Sequence, residues 1–170
     1  MITIRQATES DLAEINEIYN ESVVNSTASY DLEPQPIEVR QEWFRQHNNR
    51  FAVFVAEDAT DNGSHIEAWA SLSRFSPRGG YDATAETSIY VRERSWRKGI
   101  GAKLQAALIA HAKANGFHAL LALTTSENVG SIRMHEQFGF RVAGTMREVG
   151  YKFDQWLDVT IMQLILDDVA

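Results

Sequence analysis

Apolar and polar residues alternate from Ile2 to Gln6, which predicts a strand. Thr8 to Asp11 has the [ST]-x-x-[DE] form of a helix start. Behind it, Leu12, Ile15, Tyr19 and Val23 recur at helical spacing, so a helix should run to about Asn25. Ser26 to Pro36 is polar with two prolines and reads as a loop. Pro36 can open a second helix, with Trp43 and Phe44 on its core side. Phe51 to Glu57 and Ile66 to Arg74 are β-type runs. Asp61, Asn62 and Gly63 between them give a hairpin turn signal. Ser76 to Asp82 should be a loop, and Thr84 to Val91 another strand. Gly99 to Asn115 predicts a helix carrying Leu104, Leu108 and His111 or Ala112 on one face, with Gly116 at its C-terminal cap. Phe117 to Leu123 is a nearly continuous apolar strand, the pattern of a strand covered on both faces. Asn128 to Phe138 is a short helix ended by Gly139. Phe140 to Val149 and Trp156 to Leu166 read as two closing strands about a turn over Gly150 to Asp154. The order β-α-α-β-β-β-α-β-α-β-β predicts a mixed α/β domain around one twisted sheet.

The chain has 170 residues, 44% hydrophobic, which suits a single domain over 1–170 with a core of its own. It contains no cysteine, so disulfides, thiolate zinc sites and a cysteinyl intermediate are excluded. Any group transfer must use another nucleophile or pass directly between substrates. The net charge of −7 argues against nucleic acid or an anionic membrane as partner. The N-terminal residues show no basic segment followed by an apolar one, and no apolar run is long enough to span a bilayer. A cytoplasmic protein is the expectation. The five histidines show no close ligand spacing, and neither H-E-x-x-H nor G-x-S-x-G occurs, so no metal is expected.

Against that acidic background, Arg92, Arg94, Arg97, Lys98 and Lys103 crowd one short window where a strand passes through a glycine-bearing turn into a helix. The first N–H groups of a helix lack internal partners, and the helix dipole is positive there. Glycines let phosphates come close to those amides. A polyanionic ligand would account for the local charge. Gly99-Ile100-Gly101 lacks the third glycine of G-x-G-x-x-G, and the Walker A pattern is absent, so a dinucleotide or P-loop reading is weak.

The run Trp96-Arg97-Lys98-Gly99-Ile100-Gly101 resembles the acyl-CoA signature Q/R-x-x-G-x-G/A of the GNAT N-acetyltransferases. It departs at Trp96, where Gln or Arg is usual; Arg97 could replace the lost pyrophosphate contact. A second run, Asn128 to Phe140, resembles the late GNAT element N-x-x-[AS]-x-x-[LM]-[YH]-x-x-x-G-F. The stretches 81–91, 133–136 and 150–159 are similar to the phosphinothricin and methionine sulfoximine N-acetyltransferase branch. The resemblance implies a GNAT-like, mostly antiparallel twisted sheet of about seven strands flanked by about four helices. It implies acetyl-CoA as co-substrate, held by Ile89, Tyr90, Val91, Arg97, Lys98, Gly99, Ile100, Gly101, Ala102, Asn128 and Ser131. A bulge in the strand Ser88 to Val91 would part it from its neighbour and free amides to polarise the thioester. The acceptor would be the α-amine of a small amino acid or analogue such as methionine sulfoximine, methionine sulfone or phosphinothricin. A homodimer is expected from the branch and the closing strands, with Trp156 as packing or a dimer contact.

Two residues suit the proton transfers. Glu86 lies mid-strand in Thr84 to Ser88, and partial burial would raise its pKa into the range of a general base. His135 takes the position of the usual GNAT tyrosine and could act as general acid. Arg74, at the end of its strand, could fork an acceptor carboxylate, with Arg78 a weaker candidate in the loop. Phe75, Tyr30 and Tyr81 could wall the acceptor side chain. A peptide N-terminal or polyamine acetyltransferase and a non-catalytic acyl-CoA-binding module are the competing readings. The first would need an open groove or an acidic site; the second would be indifferent to Glu86→Gln.

Overall fold

The computed structural model describes residues 1–60 and 63–168. Its elements are β1 (Ile2–Gln6), α1 (Leu12–Asn25), α2 (Ile37–Arg45), β2 (Val53–Thr60), β3 (Gly63–Arg74), β4 (Thr84–Val91), α3 (Ile100–Ala114), β5 (Ala119–Thr125), α4 (Val129–Gln137), β6 (Arg141–Lys152) and β7 (Gln155–Ile165). The element order matches the sequence reading. At the start of α1 the Thr8 amide donates to the Asp11 carboxylate at 2.7 Å, and a 3₁₀ turn over Glu9–Asp11 precedes the helix. Asp61 and Asn62 of the predicted hairpin turn lie outside the described residues; Thr60 and Gly63 pair on either side of them.

Seven strands form one sheet in the order β1-β2-β3-β4-β5-β7-β6. Every pairing is antiparallel except β4 with β5. Alternation along the strands sends residues to opposite faces. On one face Ala68, Ala70, Leu72 and Ala85 pack against Leu104, Leu108 and Ala112 of α3, and Ile132 of α4 joins them. On the other, Trp69 and Val55 pack against Leu12, Ile15 and Ile18 of α1, with Trp43 and Phe44 of α2 and Tyr90 at the margin.

β4 and β5 pair only from Thr84 opposite Ala119 to Glu86 opposite Leu121. Beyond that point β4 stays with β3 out to Val91, and β5 stays with β7 out to Thr125. Each strand follows its longer antiparallel partnership, so the sheet opens between them. The predicted bulge in β4 is not present: the register against β3 runs unbroken from Ala85 to Val91. The parting comes from the end of the parallel ladder, not from an inserted residue.

The closing hairpin also differs from its predicted form. β6 continues through Gly150 to Lys152, and the turn is Phe153 and Asp154, at φ 52° and 58°. Two consecutive positive φ values are those of a tight two-residue hairpin. Gly150 is therefore a strand residue, paired with Leu157. Its lack of a side chain serves a close approach: a Cβ there would lie 2.1 Å from Cε1 of Tyr30.

Candidate functional site

A cavity of about 660 Å³ occupies the opening between β4 and β5. Glu86, Ser88 and Tyr90 reach it from the α1–α2 face, while His135 and Ser131 of α4 and Asn128 at its N-terminal cap reach it from the other. The sheet is thus breached, and groups from both faces meet in one space.

Glu86 is half-buried, and among the described residues its carboxyl has no hydrogen bond or ion pair. Burial alone pushes its pKa above the usual carboxylate range. A carboxyl that is desolvated and undonated is a stronger base than a solvated one. His135 is buried, and its Nδ1 lies 2.8 Å from the Ser131 carbonyl one helical turn back. A carbonyl only accepts, so Nδ1 carries the hydrogen. Burial lowers the pKa of the ring, against an opposing pull from that carbonyl. The neutral ring then offers a bare Nε2, which accepts a proton and gives one only after being charged. The predicted acid is therefore an acceptor in its resting form.

The glycine turn forms as its sequence suggests. Gly99 has φ 76°, the left-handed region, and α3 begins at the next residue. The amides of Ile100, Gly101 and Ala102 are the open N-terminus of a helix that fits a pyrophosphate. Gly101 packs closely on α4: a Cβ would lie 3.2 Å from Sδ of Met134. Trp96 puts its indole N–H on the Val91 carbonyl at 2.8 Å, closing the turn back onto β4. This is a structural task for the residue that departs from the acyl-CoA signature.

The basic cluster divides. Arg92 is half-buried and bonded to the Ile66 carbonyl and to Glu17, with Glu14 and Glu21 nearby. Arg94 holds Glu67 with Nε at 3.1 Å, and Ser95 joins them at 2.7 Å. Arg94 and Ser95 hold the Glu67 carboxyl below the usual range, although burial opposes them. These two arginines anchor the turn to α1 and β3 and leave little charge for a ligand. Arg97, Lys98 and Lys103 remain exposed.

Ile89, Tyr90, Asn128 and Ser131 line the cavity; Val91 at the end of β4, residues 97–99 of the turn and 100–102 of α3 lie outside its lining, with Gly101 against Ile89 and Val91. Asn128 also caps α4, its side-chain oxygen accepting from the Ser131 amide at 3.1 Å. Tyr30 lines the cavity, with its hydroxyl 2.7 Å from Oγ1 of Thr125. The structure does not bring Arg74, Phe75 or Tyr81 to the wall. Arg74 lies opposite Ala85, in phase with Leu72, so it leaves β3 on the face away from Glu86. It bonds Asp82 at 2.6 Å and sits over the ring of Phe51. Phe75 and Tyr81 meet edge to face at 5.3 Å.

The segment between α1 and α2, which reads only as a loop, supplies one wall of the cavity. Thr125 donates to the Thr27 carbonyl at 2.9 Å. Lys152 donates to the carbonyls of Ser26 and Ser29 at 2.8 and 2.7 Å. Asp31 accepts from the Tyr19 hydroxyl at 2.6 Å. The only sequence hint is a lysine set between Tyr151 and Phe153, a charge placed among aromatics.

Residues 4–161 match the family described as an acetyltransferase (GNAT) domain. A protein of Pseudomonas paraeruginosa named L-methionine sulfoximine/L-methionine sulfone acetyltransferase is 40% identical over 97% of this chain and 95% of its own. A phosphinothricin N-acetyltransferase of Streptomyces coelicolor is 33% identical over 93% of this chain and 92% of its own. An acetyltransferase of Salmonella typhimurium, solved with its cofactor acetyl-CoA, superposes with a TM-score of 0.92 at 37% identity, covering 100% of this chain and 96% of that one. The turn, the parted strands and these likenesses agree: the chain belongs to the GNAT acetyltransferase family.

Proposed function

We propose that the protein acts in the cytoplasm and moves acetyl from acetyl-CoA to the α-amine of a small amino acid or analogue. Methionine sulfoximine, methionine sulfone and phosphinothricin are the acceptors its relatives' names support. Acetyl-CoA is the co-substrate, and it supplies an activated thioester. The observation that carries the reading is the breach between β4 and β5. It joins an undonated carboxyl on one face to α4 on the other.

The amine arrives as an ammonium, which cannot attack. Glu86 takes its first proton, directly or through water. The free amine then forms a C–N bond to the acetyl carbon, and the C–S bond breaks. His135 takes the second amine proton on its bare Nε2 and passes it to the departing thiolate. Backbone amides of β4 past Glu86, no longer paired with β5, polarise the thioester oxygen. The turn at Arg97, Lys98 and Gly99 to Ala102 holds the pyrophosphate. Tyr30 walls the acceptor.

A second copy of the chain fits the exposed β6–β7 surface. β6 is an edge strand, and Val149, Tyr151, Phe153 and Trp156 are about half exposed or more. Such an apolar edge favours a homodimer; light scattering at micromolar concentration tests it. A thiol-release assay with acetyl-CoA tests the function, comparing methionine sulfoximine, phosphinothricin, polyamines and short peptides. Saturable release with the amino-acid analogues supports the reading. Release with polyamines or peptides alone replaces the acceptor class. Acetyl-CoA binding without release for any acceptor makes this a binding module.

A further inference from the structure

Glu86 has a second layer behind it on β3. Ser73 stands directly opposite Glu86 in the antiparallel register. Opposed residues of such a pair share a face, with Cβ atoms about 5 Å apart. The face is that of α1 and α2, because Trp69 and Tyr90, in phase with Ser73 and Glu86, stack there at 4.7 Å. From the end of α2, His47 reaches the same serine, with Nε2 3.1 Å from Oγ. Its Nδ1 lies 2.8 Å from the Trp43 carbonyl.

These contacts determine who donates. The Trp43 carbonyl can only accept, so His47 Nδ1 carries its hydrogen. Burial, helped by the nearby Arg40 charge, holds the ring below the usual histidine pKa and so neutral. Its Nε2 is then an acceptor alone. Ser73 has one proton, and it goes to Nε2. The serine hydroxyl is thus engaged with His47, and no hydrogen bond joins it to Glu86 across the ladder.

We infer that the His47–Ser73 pair is a positioning device for Glu86: it holds the serine proton away from the carboxylate, which keeps that carboxylate without a donor. The inference rests on the reading of Glu86 as the base. Hydrogen bonds donated to a carboxylate stabilise its charge and weaken it as a base. Released from His47, the Ser73 hydroxyl can rotate across the ladder and become such a donor. The titratable and charged groups around this wall include Tyr19 from α1, Tyr30 and Asp31 from the following segment, Arg40 from α2, Tyr90 from β4 and Tyr151 and Lys152 from β6, the lysine held on the Ser26 and Ser29 carbonyls; Glu14, Glu17 and Glu21 of α1 surround Arg92, and His135 faces the cavity from α4. Asp31 is occupied by Tyr19, and Arg40 lies over the rings of Tyr19 and Trp43 at 4.3 and 4.7 Å. None of them bonds the Glu86 carboxyl.

The test is a carbon-13 titration of side-chain carboxyls in the ligand-free protein, with Glu86 assigned by its loss in Glu86→Gln. His47→Phe keeps an aromatic ring beside Trp43 but removes the acceptor. Ser73 can then donate to Glu86, and the Glu86 titration should move down by about one pH unit. The acidic limb of kcat/KM should move with it. His47→Phe with Ser73→Ala should return both to the wild-type position. An unmoved Glu86 in folded His47→Phe, or the same shift in the double variant, overturns the inference. Nitrogen-15 shifts of His47 in the wild-type protein provide a check without any substitution: an Nδ1–H tautomer supports the pair, and an Nε2–H tautomer overturns it. Loss of turnover in Glu86→Gln tests the base reading separately. A Glu86 titration that shifts as stated in an enzyme indifferent to Glu86→Gln would retain the pair and remove the base.

Discussion

Gly150→Ala is a one-carbon change with a large expected effect. The added Cβ would sit 2.1 Å from Cε1 and 2.6 Å from Cδ1 of Tyr30. Carbon atoms rest about 3.5 to 4 Å apart, so the ring must retreat by roughly 1.5 Å. Gly150 is not among the positive-φ residues, so alanine brings no backbone strain and the effect is steric. The Tyr30 hydroxyl stands 2.7 Å from Thr125, and such a shift breaks that bond. Losing a hydrogen bond costs about 1 kcal/mol and overpacking about 1–3. The sum is about 2–4 kcal/mol, or a fall in Tm of roughly 4–16 °C. Because Tyr30 walls the cavity, KM for the acceptor should rise about tenfold while KM for acetyl-CoA holds. Thermal melts and two-substrate kinetics measure both. In a Tyr30→Ala background the same substitution should be nearly neutral. Wild-type stability and acceptor KM in Gly150→Ala would refute the argument, as would an equal penalty in the Tyr30→Ala background.

Glu86→Gln should melt higher than wild type at neutral pH while losing activity. The folded-state pKa of Glu86 is raised by burial, so folding favours its protonated form. Its ionised form therefore opposes folding increasingly as pH rises above the ordinary carboxylate range, and the gain in Tm should vanish in acid; melts across pH measure it. Gly99→Ala places a side chain at φ 76° and should cost about 1 kcal/mol, weakening acetyl-CoA binding by calorimetry with acceptor KM unchanged. Lys152→Met removes two donors from the Ser26 and Ser29 carbonyls, at a cost of about 2–4 kcal/mol, and should raise acceptor KM more than acetyl-CoA KM.

Periodicity placed the strands and helices well because both faces of this sheet are packed. β1 and β4 have their predicted bounds, since alternation and flanking turn residues both mark them. Glu86 was legible as a lone acid in a covered strand, and the α3 turn as glycines beside bases. What failed was long-range. Gly150 reads as a turn residue because glycine is common in turns, yet it is small to admit a tyrosine from residue 30. Arg92 and Arg94 read as ligand-binding because their partners, Glu17 and Glu67, are distant in sequence. Arg74 was assigned by strand position alone; the two-residue period, applied from Glu86 through the β3 register, puts it on the other face. The wall formed by residues 27–31 depends on Thr125 and Lys152, and no local pattern reveals that pairing.

The proposed chemistry turns on Glu86, an undonated carboxyl at the breach of the sheet, as the group that activates the acceptor amine. The most direct measurement is thiol release with methionine sulfoximine against pH, for wild type and Glu86→Gln, with acetyl-CoA affinity measured alongside. With Glu86 as the base, wild-type kcat/KM should fall as pH drops through a pKa above the ordinary carboxylate range. The Glu86→Gln enzyme should bind acetyl-CoA normally and turn over about a hundred- to ten-thousand-fold more slowly. A Glu86→Gln enzyme with wild-type turnover and the same acidic limb would contradict that role.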